Sequence, residues 1–179
     1  MTSEPITSPP ASAVTANSVL LIVDAESLLS RYPQPSLDPQ KPTVIEDGFI
    51  FAISAMTAAE SVKNDNKITL TTHNGKFFHI RGRTVSLLAE HSVVFHNITV
   101  DDAGILSPPK LIVHGDQTVP APDPANPNQP GSHQADDHYW ECSQLSTGVA
   151  TCELSFMLIN QRCEALGYFS WKTEVTLSA

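Results

Sequence analysis

The chain has 179 residues, which is enough for one sizeable hydrophobic core and too few for two ordinary domains. Its 10 lysines and arginines stand against 19 aspartates and glutamates, and the net charge of -9 argues against general binding to nucleic acid or to anionic membranes. A hydrophobic fraction of 41% is typical of a globular protein.

The N-terminal residues predict neither export nor membrane insertion. They lack the basic and apolar regions of a secretory signal, and no stretch approaches the roughly 20 apolar residues of a spanning helix. We therefore expect a cytoplasmic protein. Residues 1–16 are rich in Ser, Thr, Pro and Ala and predict a disordered tail, which leaves residues 17–179 as a single domain.

The domain begins with SVLLIVD, a continuous apolar run that is typical of a central strand. AESLLSRY then predicts one helical turn, which ends at Tyr32 because the next residue is Pro33. Between Tyr32 and Thr43 four prolines fix φ and remove backbone donors. We expect this segment to form a stiff crossover strap that cannot extend a sheet and that shields a neighbouring sheet edge.

Two further strand patterns follow. GFIFAISAM predicts a strand that is covered on both faces, and KITLTTHNGKFFHIRGR contains Asn74-Gly75, the dipeptide most typical of a type I′ turn. The sequence therefore predicts a hairpin at this dipeptide. Its second strand places Phe78 and Ile80 on one face and the basic residues on the other.

SVVFHNITV and KLIVH predict two more strands, with Pro108-Pro109 preventing a continuous strand between them. The segment from Gly115 to His138 contains five prolines and predicts a long loop, which is either an interaction arm or disordered.

The last third of the chain again favours strands. VATCELSFMLI is apolar, and a buried free thiol is the expected state of Cys152. LGYFSWKTEVTL alternates cleanly, with four inward positions: Phe169, Trp171, Val175 and Leu177. At least seven short strands without a long amphipathic helix predict an all-β fold, namely an antiparallel, jelly-roll-like β-sandwich with long proline-rich connections and little helix.

The patterns G-x-S-x-G, G-x-x-x-x-G-K-[ST], G-x-G-x-x-G and H-E-x-x-H are absent, and we predict no catalytic residue, metal or cofactor. The segment SHQADDHYWEC supplies the candidate ligand-binding residues Asp136, Asp137, Tyr139 and Trp140, whose carboxylates and rings suit a sugar. The alternative is that the segment is a solvated loop whose aromatic residues pack at the edge of the core. Its spacing matches no zinc pattern.

Two other polar groups have a ligand-binding interpretation and a structural one. His79, Arg81 and Arg83 could hold an anion, but cross-strand pairing with acidic neighbours is favoured in so acidic a chain. Residues 64–66 offer the oxygen donors that calcium prefers, without the complete set of an EF-hand loop.

Several segments resemble the PixA/AidA inclusion body proteins of Gram-negative bacteria. They are LLIVDAESLLSRYPQPSLDPQKPTVI, IRGRTVSLL, LSPPKL and LGYFSWKTEVTL, and the likeness extends from Ser18 to the C-terminus. The resemblance implies a cytoplasmic protein that accumulates heavily, sometimes as crystalline inclusions, with links to host association. It brings no catalytic residues.

We therefore expect a non-enzymatic storage or host-interaction protein that self-associates as a homodimer or a higher closed oligomer, without nucleic acid or membrane as a partner. The alternative is a lectin-like β-sandwich that binds carbohydrate, with or without the assistance of calcium.

Overall fold

The computed structural model describes residues 17–54, 67–71, 76–86 and 90–178. Its elements in chain order are β1 (Asn17–Val23), α1 (Ala25–Arg31), β2 (Thr43–Val44), β3 (Ile50–Ser54), β4 (Lys67–Thr71), β5 (Phe77–Thr84), β6 (His91–Val100), β7 (Lys110–Pro122), β8 (Pro130–Ser143), β9 (Gly148–Asn160) and β10 (Ala165–Ser178). The predicted all-β fold with little helix is confirmed. The predicted tail, residues 1–16, lies outside the described residues.

The strands form two sheets. Sheet A has the order β3-β1-β5-β8-β7, and sheet B has the order β2-β10-β9-β6, with β4 also pairing with β10. Buried side chains of both sheets form one hydrophobic core, which confirms the sandwich. The pairs β1–β5, β2–β10 and β4–β10 are parallel, so the sheets are mixed rather than purely antiparallel.

Alternation along the strands decides which residues enter the core. Phe169 is fully buried and Trp171 is 4% exposed, as predicted for β10. Phe78 and Ile80 are buried on β5, also as predicted. The described residues contain no helix long and apolar enough to cross a membrane.

The proline-rich strap between α1 and β2 runs along the edge of β10. The N–H of Tyr168 donates to the carbonyl of Ser36 over 2.8 Å, Thr43–Val44 pairs with β10, and the N–H of Ile45 donates to the carbonyl of Ser170 over 3.0 Å. The predicted shielding of an edge is confirmed. The prediction that the strap cannot extend a sheet is wrong, because Thr43–Val44 follows the last proline and keeps its backbone donors.

The prediction that the strands on either side of Asn74-Gly75 pair as a hairpin is wrong. β4 lies in sheet B beside β10, whereas β5 lies in sheet A between β1 and β8. The chain thus passes from one sheet to the other between these strands. The dipeptide itself lies outside the described residues.

The predicted long proline loop is instead the distal part of a hairpin between β7 and β8. The two strands pair as far as Pro122 and Pro130 and leave only residues 123–129 as the turn. Because β7 is an edge strand, its prolines need not donate to a further strand. We call residues 115–137 the β7–β8 arm.

Candidate ligand-binding face

The four candidate residues lie on β8, between β5 and β7 in sheet A. Successive residues of a strand point to opposite faces of the sheet. Asp137 and Tyr139 therefore share the outer face, which is the side away from the core, while Asp136 and Trp140 belong to the other side. The four side chains do not converge on one site.

Trp140 is part of the core. It is 9% exposed, and its Nε1–H donates to the backbone carbonyl of Phe95 on sheet B over 2.9 Å. This bond joins the two sheets and satisfies the indole donor. The ring is therefore not available to stack on a sugar, which corrects the predicted role of Trp140.

Asp136 forms a hydrogen bond to a β-bulge in the arm. The register of β7 and β8 shifts between His114 and Gln117, so that Gly115 and Asp116 face a single residue of β8. Asp116 has a positive φ of 54°, and its N–H donates to Oδ1 of Asp136 over 3.1 Å. This contact gives Asp136 a structural role at the bulge.

Tyr139 lies at the centre of a polar cluster on the outer face of sheet A. Its ring stacks on that of His79 with centroids 4.0 Å apart, and Cζ of Arg81 lies 4.5 Å from the ring centroid. On the opposite neighbour, β7, Nε2 of His114 lies 3.1 Å from the tyrosine hydroxyl. Residues of both neighbouring strands thus contact this side chain.

Two ion pairs flank the tyrosine. Arg81 forms a fork with Asp137, with Nη2 to Oδ2 at 2.7 Å and Nε to Oδ1 at 3.3 Å. Nε2 of His79 lies 3.3 Å from Oε2 of Glu141. The hydrogen bond from Arg81, followed by its positive charge, lowers the pKa of Asp137 despite partial burial.

The cross-strand pairing that the sequence favours over an anion site is confirmed for His79 and Arg81. Arg83 is exposed, and its Nη1 donates to the carbonyl of Gly82 over 2.8 Å. The sequence reasoning did not single out His114 and Glu141. Both could have been found from alternation, since Glu141 follows Tyr139 by two residues and His114 ends KLIVH.

Within the ranges that the structure describes, no group of three or more His, Cys, Asp or Glu side chains could hold a metal ion. Residues 64–66, the possible calcium donors, lie outside these ranges. Cys142 and Cys152 are free and buried, as predicted for Cys152, and burial raises the pKa of each thiol to about 12. Neither is a thiolate at neutral pH, so neither is an activated nucleophile.

The family model of PixA, an inclusion body protein, matches residues 16–177. The crystal structure of an inclusion body protein (PixA) from Burkholderia cenocepacia J2315 is similar, with 18% identity, a TM-score of 0.76, and coverage of 94% of this chain and 98% of that one. This likeness shows the fold.

Two further structural neighbours are much less similar to the chain. A cysteine protease inhibitor from Entamoeba histolytica has 12% identity and a TM-score of 0.27, with coverage of 63% of this chain and 85% of that one. Amebosin has 12% identity and a TM-score of 0.24, with coverage of 63% and 88%. No curated protein matches the chain.

Proposed function

The chain belongs to the PixA inclusion body protein family, and we propose that it is a non-enzymatic protein that self-associates and accumulates in the cytoplasm. In this proposal copies of the chain are one another's main partners. They assemble first into a closed oligomer and then, at high concentration, into dense bodies for storage or for use in contact with a host.

The observation that carries this proposal is the open edge of β7. Among the strands that the structure describes, this one has 13 residues and ends sheet A, with β8 as its partner on one side. Two of its apolar side chains are exposed, Leu111 by 44% and Val113 by 64%. A long edge strand with exposed apolar residues is a surface that another chain can cover.

The proposal that the protein is not an enzyme is supported by the surroundings of its candidate catalytic side chains, which are paired with other residues or buried. Asp137 is held by Arg81, and His79 is paired with Glu141. Cys142 and Cys152 are buried as neutral thiols. A general base or a nucleophile would need to reach a substrate, and these groups face one another or the core.

Light scattering over a concentration series tests the proposal. The net charge of -9 makes copies repel one another, and added sodium chloride screens that repulsion. We expect the mean mass to rise with protein concentration, and to rise further between about 50 and 300 mM salt. A particle that stays monomeric throughout both series would contradict self-association.

Carbohydrate binding is a second candidate, and the cluster around Tyr139 favours it. A half-buried aromatic ring lies there beside Asp137 and His114, which offer hydrogen-bonding groups on one exposed sheet face. Glycan-array binding, with and without a chelator, tests this candidate. Binding should be lost in Tyr139→Ala and kept in Tyr168→Ala, which removes a tyrosine from the outer face of sheet B. Equal loss in both variants would contradict a site at Tyr139.

A further inference from the structure

The open edge of β7 contains a short window of regular strand. Upstream of it, Pro108 and Pro109 have no N–H and cannot pair with a neighbouring strand. Downstream, the bulge at Gly115 and Asp116 interrupts the register. The window is therefore the five residues from Lys110 to His114, and its central residue is Ile112.

We propose that two copies of the chain pair antiparallel along this window, about a two-fold axis that passes beside Ile112. This inference rests on the proposed self-association and names the surface that mediates it. Closed dimers with two-fold symmetry are the commonest homo-oligomers, and they use the same patch on both copies. Strand addition at an open edge gives each exposed N–H and C=O of the window a partner.

The side chains of the window fit this register. When Ile112 faces Ile112 of the second copy, Leu111 faces Val113 of that copy, and the same contact recurs across the axis. Leu111 and Val113 share one face of β7, opposite the face that carries Ile112. Pairing would thus bring Leu111 and Val113 of both copies into one apolar cluster. This cluster would give these exposed side chains of an edge strand apolar partners.

The residues at the two ends of the window are polar and face each other across the axis. Lys110 is exposed and, among the residues that the structure describes, forms no ion pair within 4.0 Å. In the proposed register it faces His114 of the second copy. Two-fold symmetry produces this lysine–histidine contact twice, so the register never places the two lysines opposite each other.

A window of five residues is much smaller than a standard interface, which has about 20 to 30 residues on each side. The dimer should therefore be weak, with an affinity that populates it only when the protein is concentrated. This property suits a protein that accumulates, because dilute copies remain separate and concentrated copies pair.

A lysine substitution tests the surface. Val113→Lys places a charge at the centre of the apolar cluster, and Val149→Lys is its matched control on β9 of sheet B, because Val149 is also exposed, by 53%. Both variants change the net charge equally. We expect the concentration at which half the protein is dimeric to rise at least about tenfold in Val113→Lys and to stay unchanged in Val149→Lys.

If the wild type associates and Val113→Lys associates equally well, the dimer does not form through the β7 edge, although self-association itself is supported. If the wild type is monomeric throughout the series, both proposals are wrong. Equal melting temperatures of the two variants would confirm that the substitution acts on the surface rather than on folding.

Disulfide trapping tests the register independently of that substitution. Ile112→Cys is made together with Cys163→Ser, which removes the exposed native thiol and leaves the two buried ones. Side chains that face each other across an antiparallel pair have Cβ atoms about 4.5–5.5 Å apart, within reach of oxidative cross-linking. We expect a covalent dimer from this variant and none from Val149→Cys in the same background. Equal yields from the two variants would refute the axis at Ile112.

Discussion

The ring of Phe95 occupies the space in front of Gly82. A Cβ atom added to Gly82 would lie only 2.6 Å from Cδ2 of this ring and 3.3 Å from Val93. Phe95 is 4% exposed and packs against Phe156 with ring centroids 5.3 Å apart. The glycine between the two arginines of β5 therefore lets sheet A and sheet B approach each other closely.

Gly82→Ala should destabilise the protein by about 1–3 kcal/mol, because the added methyl group overpacks a filled core. Gly115→Ala is the matched control, since its Cβ atom would meet nothing closer than Oδ1 of Asp136 at 3.6 Å. Both changes restrict the unfolded chain alike, so the difference between them isolates the clash. Urea unfolding measures it, and equal midpoints would contradict the close approach of Phe95.

Local patterns predicted which residues face the core but not which strands pair. The alternation around Trp171 depends only on neighbours in sequence, and the burial of Trp171 agrees with it. The pairing of β4 depends on β10, about a hundred residues away, and the turn preference of Asn74-Gly75 carries no information on that partner. A tertiary contact therefore overrode the strongest local turn signal.

The β7–β8 arm shows a similar limit. Its prolines predicted a loop, because a proline in a central strand removes a ladder hydrogen bond. The structure places Pro120 and Pro122 on an edge strand, where that cost is avoided. Whether a strand lies at an edge depends on the order of all strands in the sheet. The sequence of the arm alone does not specify that order.

At the candidate site, the sequence predicted that the basic residues form ion pairs, but it did not identify their acidic partners. The acidic composition favoured ion pairs for His79 and Arg81, but their identification with Glu141 and Asp137 needs the register of β5 and β8. That register also places Trp140 opposite Ile80, whose side chain is buried. Without it, either aromatic residue of the YW pair could have faced the core.

The pair of Arg81 and Asp137 should make stability depend on pH. The hydrogen bond from Arg81 lowers the pKa of Asp137 below its ordinary value of 3.8. Its contribution is therefore complete above the pKa of the unfolded state, at about pH 5 and higher, and is lost as the pH falls through the lower pKa of the folded state.

Arg81→Met should consequently lower the urea midpoint most near neutral pH, and the gap from the wild type should narrow below about pH 4. The control is Arg83→Met, which removes the same charge from β5. Arg83 donates to a backbone carbonyl and acts on Asp137 through its charge alone, less than Arg81 does. A gap for Arg81→Met that is constant from pH 3 to 7 would show that the carboxylate of Asp137 is not stabilised by this arginine.

The three cysteines should differ in reactivity. Cys142 and Cys152 are buried, with thiol pKa values raised to about 12, whereas Cys163 is exposed in the turn before β10. Alkylation at pH 8 followed by mass spectrometry should label Cys163 rapidly and the other two only after denaturant is added. Rapid labelling of Cys152 in the native protein would contradict its place in the core.

Trp171 should be among the most costly side chains of the core to remove. It is 4% exposed on β10, and its Nε1–H donates to Oδ1 of Asp47 over 3.1 Å. Trp171→Ala should lower the free energy of unfolding by about 3–5 kcal/mol, because a large cavity opens between the sheets. Trp171→Phe keeps most of the ring and loses this hydrogen bond to a carboxylate, which is worth about 1.5–3 kcal/mol, so it should lose less stability than Trp171→Ala. Urea unfolding measures both variants, and near-native stability of Trp171→Ala would overturn the inward assignment of this residue.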